Sequence, residues 1–457
     1  MPVKAAIAFL LLAAAPASLG ERVAGDLAAA SPGTRFGLVV ADPDGRELVA
    51  LLPDQRFVPA SNTKLFTTAA LFASGLDLDA PDTDGGAAVR LEGRDVVLVG
   101  HGDARLSGAA DCVSDCLAAL ADAVAARTRV VRDVIGDDSW FPDERWSPGM
   151  SWNNIATTSG TGISALSIDD NEVALTVAAD GSIVGGYYAV ENRVTRGGVT
   201  ALGYDRAPGS RTVRVTGTVA AAKTLKLGVD DPAHYAAWQL AAMLRARGVR
   251  VMGAIGVRHR PLDESDDPAK RGAVVARPPE PPVLARLAPP PLRNTAKVTN
   301  KVSQNLYAEL ILRRVGRIGG TGSIADGQAA VGRMLRGAGV PRVAFDFSDG
   351  SGMSSYNRVS PRGVVTFLRW AARQSWGAAW RATLPTGGEG TLRRRFAGGP
   401  TIAAKTGTLN ATNALAGYLR ARSGRELVFA AYAGDVPGDT GASAAVDAVL
   451  VRIAEEN

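Results

Sequence analysis

Ser61 and Lys64 stand three positions apart in Pro59-Ala60-Ser61-Asn62-Thr63-Lys64-Leu65-Phe66, a small-residue entry leading into a run with apolar positions at helical spacing. On a helix that separation puts both on one face, so an amine can reach a hydroxyl one turn away. The pair is a nucleophile with a built-in base. A backbone N–H at a helix start has no intrahelical acceptor, so Ser61 also offers a donor to a developing oxyanion. Ser61 is the only serine with a lysine three positions on, and the chain has just eight lysines while arginine fills most basic positions. A general base must shed its proton, which arginine does not do in proteins, so a lysine at 64 suits that chemistry. The plain alternative is an exposed helix start, and S-x-x-K alone does not exclude it.

Two further stretches supply groups such a pair would need. Asn300-Lys301-Val302-Ser303-Gln304-Asn305 contains S-x-N where a long apolar-periodic helix is predicted, from Asn300 to Arg314. A hydroxyl with an amide two residues on can relay a proton and hold a substrate amide. Ser151-Trp152-Asn153 and Ser355-Tyr356-Asn357 match S-x-N equally well, so place in the chain must decide. Thr401 to Thr408 reads as an edge strand ending in Lys405-Thr406-Gly407-Thr408. An extended peptide can pair with such an edge, Gly407 permits close approach, and Lys405 with the two threonine hydroxyls can hold a terminal carboxylate. The Thr408 N–H could complete an oxyanion hole with that of Ser61. Like charge on Lys405 and Lys301 is expected to depress the Lys64 pKa.

The elements that must position these groups follow in order. Arg35 to Leu51 is two strand-like runs around Pro43-Asp44-Gly45, hence a hairpin, and the Ser61 helix comes next. A loop rich in Asp, Gly and Pro, Asp77 to Gly86, marks a boundary. From Val89 a small α/β unit follows, with strands at 96–99 and 130–136 and a helix at 116–127. Leu166 to Val219 has short alternating runs without a helix signal, an all-β insertion. The α/β style resumes at Pro232, and the prolines at 278–282 and 289–291 form a stiff connector back. A helix from Pro361 to Trp376 and strands at 402–406, 414–420 and 427–433 complete an α+β core. The C-terminal run from Ala444 reads as a packed helix with an acidic end.

With 457 residues and 46% hydrophobic content the chain can fill two or three domains, each with its own core. Lys4, the apolar run 5–15 and Ala15-Pro16-Ala17-Ser18 have the layout of a cleaved export signal over residues 1–20. The net charge of +6 is spread out without a basic block, which argues against nucleic acid as a partner and leaves at most weak, peripheral attraction to an anionic envelope. Cys112 and Cys116 have no further Cys or His ligand nearby, so a local disulfide is expected rather than zinc; no metal or other cofactor is called for. The only histidines, His101, His234 and His259, sit beside no nucleophile signature, against a Ser-His-Asp hydrolase.

In the order S-x-x-K, S-x-N, K-T-G, the chain resembles the serine D-alanyl-D-alanine carboxypeptidase/endopeptidase family, the class C low-molecular-mass penicillin-binding proteins. The likeness extends to Gly136-Asp137-Asp138-Ser139-Trp140-Phe141, Asp349-Gly350-Ser351-Gly352-Met353-Ser354 and Gly390 to Phe396, and to the 242 positions between Ser61 and Ser303. Serine β-lactamases share the three motifs with a much shorter first interval. The resemblance implies a penicillin-binding transpeptidase/β-lactamase-like catalytic domain, an antiparallel sheet flanked by helices, over 21–83 and 285–457. It is interrupted by an α/β domain over 84–165 and 230–284, which carries a nested all-β domain over 166–229. It further implies a Ser61 acyl-enzyme with Lys64 as base, Ser303 and Asn305 as further catalytic residues, peptidoglycan stem peptides as substrate and β-lactams as acylating inhibitors. Lys405, Thr406, Gly407, Thr408, Asn410, Asn154, Met353 and Ser355 are the expected substrate-binding residues. In relatives that read a diaminopimelate side chain an Asp follows the Trp-x pair and an Arg follows the D-G-S-G-x-S run. Asn154 and Ser355 stand there, so a shorter or neutral third residue, or charges brought in from a shifted insertion, are the expected alternatives. A β-lactamase or esterase on the same scaffold, and a non-catalytic cell-wall scaffold, are the competing readings.

Overall fold

The computed structural model describes residues 17–273, 279–438 and 440–457. Most of the expected export signal, residues 1–16, and Pro278 of the proline-rich connector lie outside these. Among the described residues no helix is long and apolar enough to cross a membrane.

A five-stranded antiparallel sheet carries the site. Its order is Ile402–Leu409, Thr412–Arg420, Glu426–Gly434, Arg35–Ala41 and Glu47–Leu51. The central strands are buried on both faces, and their two-residue alternation sends side chains into two separate cores. Val39, Ala41, Tyr418, Val428, Ala430 and Tyr432 meet helices Thr63–Phe72 and Pro361–Ala372 on one face. Phe36, Leu38, Val40, Leu427, Phe429 and Ala431 meet helices Leu19–Ala30 and Ala442–Glu456 on the other.

The first of those helices begins within residues 1–20, where the export signal is expected. Ser18 caps it, accepting from the Glu21 N–H, while Glu21 accepts from the Ser18 N–H at 2.7 Å, and Val23 and Leu27 are fully in the core. Ser18 to Gly20 thus belong to the cap and first turn of this helix.

The inserted region holds a mixed five-stranded sheet in the order Ile255–Arg260, Val134–Pro142, Asp95–Val99, Ala88–Glu92, Ala285–Arg286, with helices Leu117–Arg127 and Pro232–Ala246 packed on it. Its edge strand runs to 286, just past the expected limit of 284. Two three-stranded sheets formed from 172–228 follow. The separate cores expected for these two units are not found: Val96, Leu98 and Val134 of the first share one apolar cluster with Leu175, Val213 and Leu227 of the second. Cys112 and Cys116 form the expected disulfide, closed over a turn with Asp115 at φ +58° rather than over a helix.

Two long helices expected from periodicity are each broken. The stretch from Asn300 is the end of Leu292–Lys301 and then Asn305–Ile318, with Ser303 between them at φ +65°. Pro361–Ala372 ends four residues before Trp376, which precedes the short helix Gly377–Arg381. Apolar periodicity continues across both breaks because each pair of helices packs on the same core.

Candidate active site

The nucleophile stretch begins with a 3₁₀ turn, Ala60–Asn62, and runs into helix Thr63–Phe72, whose every residue is buried. Ala60 sits at φ +47°, a left-handed conformation that costs a non-glycine residue energy and is held here by its neighbours. Gly352 packs on it so closely that a Cβ there would lie 1.8 Å from the Ala60 carbonyl oxygen.

Lys64 is fully buried, and its Nζ lies 2.9 Å from Ser61 Oγ, 2.7 Å from Asn305 Oδ1 and 2.5 Å from the Ser351 carbonyl oxygen. Two of these neighbours only accept, and the third is a hydroxyl. A neutral amine satisfies all three by donating to Asn305 and Ser351 while its lone pair receives the Ser61 O–H. Burial drives the Lys64 pKa down to about 7, against the opposing fields of Asp349 and Glu309. The expected depression by Lys405 and Lys301 is not the cause: desolvation does the work, and Lys301 is tied to Glu389 in an ion pair.

Lys405 is equally buried, with Nζ 2.9 Å from Ser303 Oγ and 3.0 Å from the Thr406 carbonyl oxygen. Burial first, and then the charge of Lys64, hold it well below the ordinary lysine range. The left-handed backbone at Ser303, between two helices rather than inside one, places its hydroxyl at Lys405.

Strand Ile402–Leu409 is the sheet edge beside Ser61. A Cβ on Gly407 would fall 2.5 Å from the Pro59 carbonyl oxygen, so no larger residue fits between strand and turn. Asn62, also fully buried, ties the two by donating to the Lys405 carbonyl at 2.7 Å. The Ala404 N–H points away from the sheet, to Pro385 O at 3.0 Å. By the alternation of an antiparallel ladder the N–H groups of Thr406 and Thr408 point the same way. Thr408 is exposed and Thr406 half-buried, its hydroxyl bonded to Thr391.

The inserted region forms the opposite wall. Asn305 donates from Nδ2 to Ser159 O at 3.0 Å, which fixes the amide so that Oδ1 faces Lys64. Met150 and Ser354 make an antiparallel bridge, and a recess lined by Arg145, Trp146, Met150, Asn305, Ser351 and Met353 opens beside it. Of the other expected binding residues, Ser355 is exposed with its hydroxyl turned to Gly149 O, Asn154 is half-buried on a 3₁₀ turn, and Asn410 is exposed at the turn after the edge strand. None of these three touches the Ser61 cluster through a hydrogen bond.

Four buried groups have no role assigned from the sequence: Asn62, inside S-x-x-K, Asp349, which opens D-G-S-G, and Glu309 and Arg313. Asp349 accepts from the N–H groups of Gly352 and Ser354 and from Asn357 Nδ2, which shapes the loop that carries the Ser351 carbonyl. Burial, and then Glu309, raise its pKa to about 6. Charged residues four apart at 309 and 313 on a helix otherwise packed in apolar surroundings were the available signal for one pair.

Chemically, the assembly offers a hydroxyl with a desolvated amine as base, a second hydroxyl on a second amine, and an open strand edge with outward N–H groups. That set suits acyl transfer to water from an extended peptide. The family model described as D-Ala-D-Ala carboxypeptidase 3 (S13) matches residues 21–456. The chain is similar to the D-alanyl-D-alanine carboxypeptidase of Actinomadura sp. strain R39, 32% identical over 93% of this chain and 82% of that protein. Carboxypeptidase DacB of Mycolicibacterium smegmatis is 29% identical over 95% of this chain and 84% of its own length. The crystal structure of penicillin binding protein 4 (dacB) from Haemophilus influenzae has the same fold, with a TM-score of 0.76 and 19% identity over 94% of this chain and 98% of that one. The chain belongs to the D-Ala-D-Ala carboxypeptidase 3 (S13) family of serine peptidases.

Proposed function

We propose that this protein is a serine DD-peptidase of peptidoglycan that removes terminal D-alanine from stem peptides and opens D-alanine-linked crosslinks. The observation that carries the reading is the buried, charge-depleted Lys64 amine 2.9 Å from Ser61 Oγ, in a member of a D-Ala-D-Ala carboxypeptidase family. The substrate lies along strand Ile402–Leu409, its terminal carboxylate at Lys405, Thr406 and Thr408. Ser61 Oγ attacks the carbonyl carbon of the D-Ala-D-Ala bond as its proton passes to Lys64. The N–H groups of Ser61 and Thr408 take the oxyanion. Collapse breaks the C–N bond, and the departing amine takes the proton held by Lys64, relayed through the Ser303 hydroxyl that Lys405 orients, which leaves Lys64 neutral to take a proton from the incoming water. Water then hydrolyses the Ser61 ester and restores the serine.

Asn154, Met353 and Ser355 flank the part of the cleft that meets the stem peptide's third residue, and Asn410 its carboxylate end. Neutral groups at 154 and 355 favour a short or uncharged third residue, and Arg145 of the inserted region, in the recess beside Met353, is the charge available to the alternative of a charged one. Such a substrate lies outside the cytoplasm, so export is part of the reading. Processing in this reading falls between Ala17 and Ser18, supported by Ala15-x-Ala17 just before Ser18 and by the role of Ser18 as the cap of the first helix.

The test is mass spectrometry of the mature protein with benzylpenicillin over time, beside Ser61→Ala. A stable adduct on Ser61, absent from Ser61→Ala, is expected, because the leaving amine of a β-lactam stays tethered to the acyl group. No adduct on folded protein would sink the reading, and fast penicillin loss without accumulation would replace it with a β-lactamase.

A further inference from the structure

Lys64 is set by a carboxylate that it does not touch. Glu309, on helix Asn305–Ile318, is buried, and its Oε1 accepts from the N–H groups of Gly350 at 3.0 Å and Ser351 at 2.8 Å. The Ser351 carbonyl oxygen, on the far side of that gripped backbone, lies 2.5 Å from Lys64 Nζ. The other Glu309 oxygen is held by Arg313 at 2.9 Å, itself 2% exposed along its side chain, and Arg313 also donates to the Glu144 carbonyl of the inserted region at 2.8 Å.

We propose that Glu309 is a positioning residue for the general base: its carboxylate fixes the Gly350–Ser351 backbone so that the Ser351 carbonyl orients the Lys64 amine toward Ser61. Two donors on one oxygen, with the other oxygen locked by Arg313, leave this backbone one orientation. Without it Lys64 loses one of the two acceptors that turn its lone pair to the nucleophile. The charged groups around Lys64 are Asp349 from the loop before Ser351, Glu309 from the helix, with Arg313 behind it, and Lys405 from the edge strand. The carboxylates favour the protonated amine, so Glu309 orients the base and, after burial and Asp349, adds to its proton affinity.

This inference rests on the DD-peptidase reading, and the experiment separates the two. Benzylpenicillin acylation rates are measured against pH for the full-length mature wild type, Glu309→Gln, Glu309→Ala and the charge-balanced pair Glu309→Gln with Arg313→Met, each checked by thermal melting. Glutamine keeps an oxygen for the two N–H groups but removes the charge, so the acid limb moves to lower pH by roughly half a unit or more while the plateau stays within about threefold. Alanine releases the backbone, and its plateau drops about tenfold or more. If Glu309→Gln fails to fold around an unpaired Arg313, the double variant keeps the direction of the prediction with a smaller shift, because it also removes the Arg313 cation. A merely structural residue would lower the melting temperature and leave the limb in place. Folded Gln variants whose limb coincides with the wild type, or an alanine variant with the full plateau, would overturn the proposal. A wild type that is not acylated at any pH would refute the DD-peptidase reading itself.

Discussion

Asn62 donates from Nδ2 to the carbonyl oxygen of Lys405 at 2.7 Å and accepts on Oδ1 from the Tyr432 hydroxyl at 3.2 Å. One buried amide thus holds the nucleophile turn at a fixed height against two strands of the sheet. Asn62→Ala leaves the buried Tyr432 hydroxyl unpaired and takes the side-chain donor from the Lys405 carbonyl, at an expected cost of about 1–3 kcal/mol, with slower acylation. Melting and acylation rates equal to wild type would remove this role.

Acylation is expected to rise with pH through about 7, because Lys64 must be neutral to take the Ser61 proton and its pKa lies there. A stopped-flow pH profile of penicillin acylation checks this. A flat profile from pH 5.5 to 8.5 would rule out Lys64 as the titrating base.

The same amine weakens the fold. Its pKa is about 7 in the folded chain against 10.5 as the ordinary value, so between those limits the unfolded chain binds more protons and stability grows as pH rises. Lys64→Met, similar in volume and uncharged, should melt above the wild type at pH 6, with the gap closing toward pH 10, and should not be acylated. Thermal denaturation across that range decides it, and a variant that melts lower throughout would contradict it.

Gly407→Ala forces a methyl to 2.5 Å from the Pro59 carbonyl oxygen. The edge strand must then move off the Ser61 turn, and a shift near 1 Å lowers acylation by about 10- to 100-fold. Unchanged acylation in the folded variant would show that the strand need not press on the turn.

N-terminal sequencing of the exported protein should read Ser18-Leu19-Gly20. A first residue at or beyond Glu21 would strip the cap from the first helix and contradict the processing site.

What the sequence disclosed follows from how local each cause is. Ser61 and Lys64 meet through one helical turn, so spacing alone predicted their contact. The Thr408 edge follows from a strand whose partner is reached by a two-residue turn. Ser303 was found by its motif, but its left-handed backbone was not, because the apolar periodicity runs through 302–304 without interruption. Like-charge repulsion was expected to tune Lys64, whereas desolvation does. Burial is a property of the assembled fold that no spacing encodes. The roles of Asn62, Glu309 and Asp349 were not legible for the same reason, since each works through carbonyl or N–H groups from distant segments. The single core shared by the two inserted units was invisible too, because alternation says which residues are inside but not with whom.

Among the bonds between the inserted region and the catalytic machinery are those of Asn305 to the Ser159 carbonyl, Arg313 to the Glu144 carbonyl and Ser354 to the Pro148 carbonyl. All three acceptors are main-chain oxygens, indifferent to side-chain identity but not to backbone position. At these three bonds the residues at 144, 148 and 159 act through backbone position, not through their side chains. An engineer seeking a minimal enzyme could not simply excise it: each of the three donors would need a new acceptor before Lys64 and Ser61 were again held in line.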